Sequence, residues 1–86
     1  MYIHLGGEYV ANENSIIGIF DLEKTTVSKA TRDFLSNAEK KGEVINVSYE
    51  LPKSFVVTNN KNKRKIHISP VSVGTILKRT ESKIPT

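Results

Sequence analysis

The spacing of apolar side chains along this 86-residue chain has two periods. Short stretches in which apolar residues alternate with polar ones, or run together between turn residues, indicate β-strands. These stretches are residues 2–5, 8–11, 15–20, 44–49, 54–58 and 65–69. Residues 15–20 are apolar on both faces, which predicts a strand that is buried on both sides.

Residues that favour tight turns separate the predicted strands. Gly6 and Gly7 can adopt the positive φ angles of a turn between the first two strands. Pro52 fixes φ and lacks a backbone N–H, so it predicts a turn before the fifth strand. Residues 59–64 are all polar and predict a hairpin loop between the last two strands.

A helical period appears between the third and fourth strands. Apolar residues recur there every three or four positions, and charged residues occupy the other side, which predicts an amphipathic helix over residues 26–41. Thr25 or Thr26 suits the N-cap of this helix, because a hydroxyl oxygen can accept a bond from an unpaired N–H. Gly42 suits the position after its end, where a positive φ is common.

A shorter helix is predicted after the last strand, with Ser69 as N-cap and Pro70 in the first turn, ending near residue 79. The element order β-β-β-α-β-β-β-α predicts an α+β fold, a small mixed-strand β domain with one long helix and one short C-terminal helix. We expect a single domain over residues 1–80 and a disordered tail over residues 81–86.

The composition limits how such a domain can be stabilised. A chain of this length buries only roughly 60 % of its unfolded surface, and it contains no cysteine for disulfides or thiolate metal sites. We therefore expect self-association. The longest apolar run, residues 16–20, is far too short to span a membrane, and residues 1–7 do not resemble a signal peptide. A cytoplasmic protein without membrane contact is expected.

The charge is unevenly distributed. Residues 1–59 carry six Lys/Arg and eight Asp/Glu, a net charge of −2, whereas residues 60–86 carry seven Lys/Arg and one Asp/Glu, a net charge of +6. Four of these cations lie in one five-residue stretch of the predicted hairpin, residues 61–65. They are Lys61, Lys63, Arg64 and Lys65. Such a cluster suits contact with phosphates, although a basic turn is also common on soluble proteins.

No arrangement of residues predicts catalysis. His4 and His67 each alternate with isoleucines on predicted strands, but two imidazoles without a third group form neither a metal site nor a catalytic triad. We expect both to be ordinary, partly exposed strand histidines. Gly6 and Gly7 lack the following helix and the Lys-Ser/Thr pair of a phosphate loop. We therefore expect no enzyme, no metal and no cofactor.

Four segments together resemble one bacterial family, the extracellular matrix regulators RemA and RemB, and the RemB branch more than the RemA branch. The segments are YIHLG at residues 2–6, IIGIFD at 16–21, PKSFVVT at 52–58 and ISPVSVGTILKR at 68–79. Their order and spacing carry the resemblance, which covers roughly residues 1–80. It implies a cytosolic regulator that binds double-stranded DNA and promotes matrix and biofilm gene expression. It also implies a subunit similar to the LytTR type of DNA-binding domain and, from the RemA branch, assembly into a ring-shaped homo-oligomer.

The chain departs from the RemA pattern at the positions that carry arginines for DNA binding. Here those positions are Ser15 and Leu51-Pro52. Contacts to DNA are then expected from Lys53 and from the cations of the 61–65 hairpin. Two hypotheses stay open: an oligomeric DNA-binding regulator, or a ring-forming protein-interaction module that has lost DNA binding and acts through another regulatory protein.

Overall fold

The computed structural model of the chain describes residues 2–23 and 28–81. Within these residues, six strands, two α-helices and one short 3₁₀-helix follow the predicted order. They are β1 (Tyr2–Gly6), β2 (Tyr9–Asn12), the 3₁₀-helix Glu13–Ser15, β3 (Ile16–Asp21), α1 (Lys29–Lys40), β4 (Val44–Asn46), β5 (Ser54–Asn60), β6 (Lys63–Ser69) and α2 (Val73–Glu81). The predicted α+β class, with one long and one short helix, is confirmed.

The strands form two sheets. β1 and β2 make an antiparallel hairpin whose turn is Gly6 and Gly7, both at positive φ as predicted. The other four strands form a sheet in the order β3-β5-β6-β4. β5 pairs antiparallel with β3 and with β6, whereas β4 pairs parallel with β6, so the sheet is mixed.

Each face of the four-stranded sheet is covered by a different layer. α1 covers one face, which we call the helix face, and the buried members of its apolar cluster are Ala38, Phe55, Val57 and Ile66. The β1–β2 hairpin and α2 cover the opposite face, which we call the hairpin face. The buried members of the cluster there are Ile3, Leu5, Ala11, Val47, Val56 and Ile76. Because strand side chains alternate between the two faces, β5 and β6 contribute to both layers.

α1 begins later than predicted. Its N-cap is Ser28, whose Oγ accepts a hydrogen bond from the N–H of Thr31 at 3.2 Å. Thr25 and Thr26, the predicted caps, lie outside the described residues. The predicted end is confirmed, because Gly42 has a φ of 71° and follows the last turn as a left-handed cap residue.

The predicted cap of the second helix is wrong. α2 begins at Val73, and the Oγ of Ser72 accepts the N–H of Thr75 at 3.3 Å. Ser69 is instead the fully buried last residue of β6, and its hydroxyl donates to the carbonyl of Leu5. α2 continues to Glu81, so the first residue of the predicted tail is helical, and residues 82–86 lie outside the described residues.

β3 also differs from its prediction. It is an edge strand rather than a strand buried on both sides, because it pairs only with β5. The register shifts between Ile16 and Gly18, and the extra residue, Ile17, is 65 % exposed. A bulge of this kind disturbs the ladder of an edge strand and leaves one side chain exposed.

Candidate nucleic-acid interface

The predicted hairpin loop of residues 59–64 is almost entirely strand. β5 and β6 stay in register up to the pair Asn60 and Lys63, so the turn consists of only Lys61 and Asn62. Both turn residues have positive φ, 54° and 65°, as a tight two-residue hairpin turn requires. The basic residues after the turn are therefore held on a regular strand.

The pleat of β6 divides the basic run between the two faces of the sheet. Arg64 points to the helix face, where its Nη2 lies 2.9 Å and its Nε 3.3 Å from Oε1 of Glu43. The guanidinium also lies over the ring of Phe34, with Cζ 5.4 Å from the ring centroid. Arg64 therefore has an anionic and an aromatic partner within the chain, and both contacts stabilise the fold.

Lys63 and Lys65 point to the hairpin face. Both are exposed, and neither makes an ion pair with a described acidic residue. They line one wall of a cleft of about 360 Å³ between the β5–β6 hairpin and the β1–β2 layer. The complete lining is Tyr2, Val10, Ala11, Asn12, Ser15, Thr58, Asn60, Lys63, Lys65 and His67.

His67 follows the two lysines on the same face and is buried at 9 % exposure, so the expectation of a partly exposed side chain is wrong for it. Its Nε2 lies 3.3 Å from Oγ1 of Thr58. Its Nδ1 is buried and has no hydrogen-bond partner among the described residues. Burial lowers the pKa of His67 below its ordinary value, and the nearby charge of Lys65 lowers that pKa further.

Lys53 is not brought together with the hairpin cations. It precedes β5, and its backbone is fixed by hydrogen bonds to Ser69 and Leu22 at 2.8 and 2.9 Å. Lys61 lies eight positions after Lys53 along an extended chain, which corresponds to roughly 26 Å along the sheet. Within the chain, the predicted site residues therefore lie in four separate places. They are Lys61 at the tip of the hairpin, Lys63 and Lys65 at the cleft, Arg64 on the helix face, and the distant Lys53.

The sequence prediction missed Thr58 and His67 as neighbours of the lysines. The signal was present, because residues 63, 65 and 67 alternate on one strand and must share a face. The burial of His67 could not be predicted from the sequence of β6 alone, because the β1–β2 layer on that face of the sheet lies far away in sequence.

The described residues contain no group of three or more His, Cys, Asp or Glu side chains placed to hold a metal ion. In the same part of the chain, neither helix has the length and apolar character needed to cross a bilayer.

Fold and surface together define a small α+β protein that presents a pair of lysines at a cleft. The chain belongs to the RemA-like family, described as extracellular matrix regulatory protein A-like, and the match covers residues 2–80. A relative is extracellular matrix regulatory protein B of Bacillus subtilis (strain 168). It is 38 % identical over 81 residues, which cover 94 % of this chain and 91 % of the relative. The family resemblance inferred from the four sequence segments is thereby confirmed, and the name of the relative is that of a regulatory protein.

Proposed function

We propose that this chain is a cytoplasmic, DNA-binding regulator of extracellular-matrix genes that acts as a ring-shaped homo-oligomer. Membership of a family of matrix regulatory proteins supports the regulatory role. The observation that carries the DNA contact is the pair Lys63 and Lys65, which are exposed on a regular strand without an acidic partner in the described chain. Cations held in this way can neutralise backbone phosphates and release their counterions.

The position of Ser15 supports the same proposal. The family resemblance expects an arginine there, and Ser15 lines the cleft whose other wall carries Lys63 and Lys65. The Oγ of Ser15 donates to the carbonyl of Asn12 at 2.7 Å, so this side chain serves the local turn. Ser15, at the end of the 3₁₀-helix, carries no charge, and we infer that Lys63 and Lys65 on β6 supply the positive charge at this cleft instead.

One subunit provides too few cations for tight binding, which is why the proposal includes an oligomer. Lys61, Lys63 and Lys65 of a single copy would release few counterions, whereas several copies on one DNA molecule act at a high effective concentration. Ile17 is 65 % exposed on the edge strand β3 and Leu51 is 82 % exposed beside Lys53. Contact between subunits would cover these apolar side chains, and it would let Lys53 of one copy join the hairpin of another.

The direct test is binding of the purified protein to a duplex of about a hundred base pairs at low and moderate salt, with the mass measured in the same buffers. We expect an oligomer whose affinity for DNA falls steeply as salt rises. An intact oligomer that ignores DNA at both salt concentrations would contradict the proposal.

Self-association has its own test in the variant Ile17→Asp. We expect it to lower the mass of the assembly while the subunit keeps its fold, because Ile17 contributes to neither core cluster. Val56→Asp is the contrast, since Val56 is fully buried inside one subunit and its substitution should prevent folding. A full-sized assembly of Ile17→Asp would exclude β3 as the contact.

A second candidate function is favoured by the exposed loop before β5. Tyr49 is fully exposed and Leu51 is 82 % exposed, and apolar side chains presented in this way suit a protein partner. In this alternative the ring acts through another regulatory protein. Tyr49→Ser would then abolish regulation in cells, while alanine at the four hairpin cations would leave regulation unchanged. The DNA-binding proposal expects the reverse.

A further inference from the structure

Tyr2 places an exposed aromatic ring at the cleft. The side chain is 66 % exposed and lines the same cleft as Lys63 and Lys65. Ring contacts among the described residues join phenylalanines to one another or Arg64 to Phe34, and none of them involves Tyr2. An aromatic ring contributes a large contact area when a partner covers it, so an exposed ring at a cleft suits a ligand with a flat face.

The charge at the same cleft is positive. Lys63 and Lys65 are exposed, have no acidic partner among the described residues, and lie two positions apart on β6. This spacing corresponds to roughly 7 Å along the strand, which suits two successive phosphates of one nucleic-acid strand. Among the described residues that line the cleft, none carries a carboxylate that would repel a phosphate.

The remaining lining of the cleft suits a base. Val10 is the diagonal neighbour of Tyr2 on the same face of the β1–β2 hairpin, because Tyr2 pairs with Asn12. Val10 is 42 % exposed, and an apolar side chain of this kind can contact the C5-methyl group of thymine. Asn60 lines the cleft as well, and its amide can hydrogen-bond to the edge of a base. The cleft volume of about 360 Å³ lies within the roughly 300–1,000 Å³ of sites that hold a small molecule, so a base has room to enter.

We propose that this cleft binds single-stranded DNA, with a thymine base stacked on Tyr2 and the neighbouring phosphates held by Lys63 and Lys65. Bases of a single strand present their faces to a protein, whereas the faces of paired bases are covered by their neighbours in a duplex. The site shares its two lysines with the duplex contact proposed above. It does not rest on that contact, because a duplex offers Tyr2 no base face on which to stack.

The test is binding of the intact protein to labelled nucleic acids, measured by fluorescence anisotropy in one buffer. Three ligands are single strands of about eight nucleotides, within the roughly 4–16 nucleotides of known single-strand sites. They are oligothymidylate, the RNA strand oligouridylate, and a deoxyribose-phosphate strand without bases. The fourth ligand is a GC-rich DNA duplex. Oligothymidylate should bind at least about fivefold more tightly than the abasic strand, which carries the same phosphates but offers no base to stack. Oligouridylate should bind more weakly than oligothymidylate, because uracil lacks the methyl group.

Substitutions of Tyr2 separate stacking from attraction by charge. Tyr2→Leu keeps an apolar side chain but removes the aromatic face, so it should weaken oligothymidylate binding at least about fivefold. The same variant should leave binding of the abasic strand and of the duplex unchanged, and Tyr2→Phe should retain the affinity for oligothymidylate. Tyr49→Leu is the matched control, because it removes a fully exposed tyrosine that does not line the cleft. It should change none of these affinities.

Two further measurements keep the proposal testable if Tyr2→Leu does not fold. In the unsubstituted protein, oligothymidylate should shift the NMR signals of the Tyr2 ring protons upfield, and the abasic strand should not, because only a stacked base supplies a ring current. Lys63→Gln and Lys65→Gln should each reduce the salt slope for oligothymidylate by about 0.7 for each copy of the chain that contacts the strand.

Several outcomes would overturn the proposal. Equal affinities for oligothymidylate and the abasic strand would show that only phosphates are bound, and an equal loss in Tyr49→Leu would indicate non-specific aromatic contact. Oligouridylate that binds as tightly as oligothymidylate would remove the assignment to DNA. A protein that ignores the duplex but loses oligothymidylate in Tyr2→Leu would contradict the duplex contact and support this site, whereas duplex binding together with an effect of Tyr2→Leu on neither strand would do the reverse.

Discussion

The cations on the two faces of β6 differ in their partners. On the helix face, Arg64 is paired with Glu43 and covers the ring of Phe34, and the next residue on that face, Ile66, is fully buried. On the hairpin face, Lys63 and Lys65 have no acidic partner in the described chain. Neighbouring cations in a basic run can therefore serve opposite purposes, because successive residues of a strand point to opposite faces.

The two faces also differ in the groups that they bury. The buried residues of the helix-face cluster are all apolar, so that face is satisfied by packing alone. The hairpin face buries polar side chains next to its apolar cluster, and these need partners. They are Ser54, Thr58, His67 and Ser69. The serines bond to backbone carbonyls, whereas His67 keeps one ring nitrogen unpaired within the described residues. We therefore expect substitutions of Arg64 and Ile66 on the helix face to affect stability, and substitutions of the exposed Lys63 and Lys65 on the hairpin face to affect binding.

The largest expected effect is a loss of stability from the helix face. Ile66→Ala should lower the free energy of unfolding by about 2–5 kcal/mol, because it removes buried methyl and methylene groups and leaves a cavity between β6 and α1. Urea unfolding measures this change, with the exposed Tyr49→Ala as a control that should alter stability by less than about 0.5 kcal/mol. A loss below about 1 kcal/mol for Ile66→Ala would contradict a close-packed helix face.

The next effect concerns DNA binding by the hairpin face. Each phosphate contact contributes about 0.9 to the slope of log affinity against log salt, so Lys63→Gln with Lys65→Gln should reduce that slope by about 1.8 for each copy of the chain that contacts the DNA. Between about 50 and 200 mM salt, the unsubstituted protein should then lose about twelvefold more affinity than the double variant for each such copy. Filter binding or fluorescence anisotropy at several salt concentrations measures both slopes.

Arg64→Gln is the matched control for this experiment, since it removes a cation between the two lysines but on the other face. It should leave the salt slope close to that of the unsubstituted protein. If Arg64→Gln reduces the slope as much as either lysine substitution, the two faces do not differ in DNA contact.

These differences between the faces set the limit of prediction from sequence. Local sequence patterns were sufficient to predict the order of the elements, the Gly6-Gly7 turn, the amphipathic character of α1 and the end of α1 at Gly42. The partner of Arg64 was not predictable, because Glu43 lies 21 residues away and reaches it only through the parallel pairing of β4 with β6.

The prediction of the N-cap of α2 was wrong for a similar reason. Ser69 and Ser72 both suit an N-cap by local chemistry, and a long-range contact decided between them. Ser69 is fixed by its bond to the Leu5 carbonyl, which leaves Ser72 to cap the helix. The sequence shows that Ile17 and Leu51 are apolar. Their exposure could not be predicted, because it depends on which strands form the edges of the sheet.

A smaller effect should come from the ion pair on the helix face. Arg64→Gln should lower the free energy of unfolding by about 1 kcal/mol, since the guanidinium loses a partly exposed carboxylate and an aromatic ring. A double-mutant cycle with Glu43→Gln separates the two contributions, and we expect a coupling energy of about 0.5 kcal/mol. Additive effects would mean that the contact with Phe34 alone accounts for the role of Arg64.

The smallest effect is a pH dependence of stability that belongs to the hairpin face. The unfolded chain protonates His67 near its ordinary pKa of 6.5, whereas burial and Lys65 keep the pKa of the folded group lower. The unfolded state therefore binds more protons in this window, so the free energy of unfolding should fall as the pH drops through about 6.5 towards the lower pKa of the folded state.

Denaturant unfolding between about pH 5.5 and 7.5, above the range in which carboxylates titrate, measures this dependence. His67→Gln should flatten it, because the variant has no group at this position that takes up a proton in this window. A fall in stability of the same size in His67→Gln would assign the pH dependence to another group and would contradict a buried, neutral imidazole at His67.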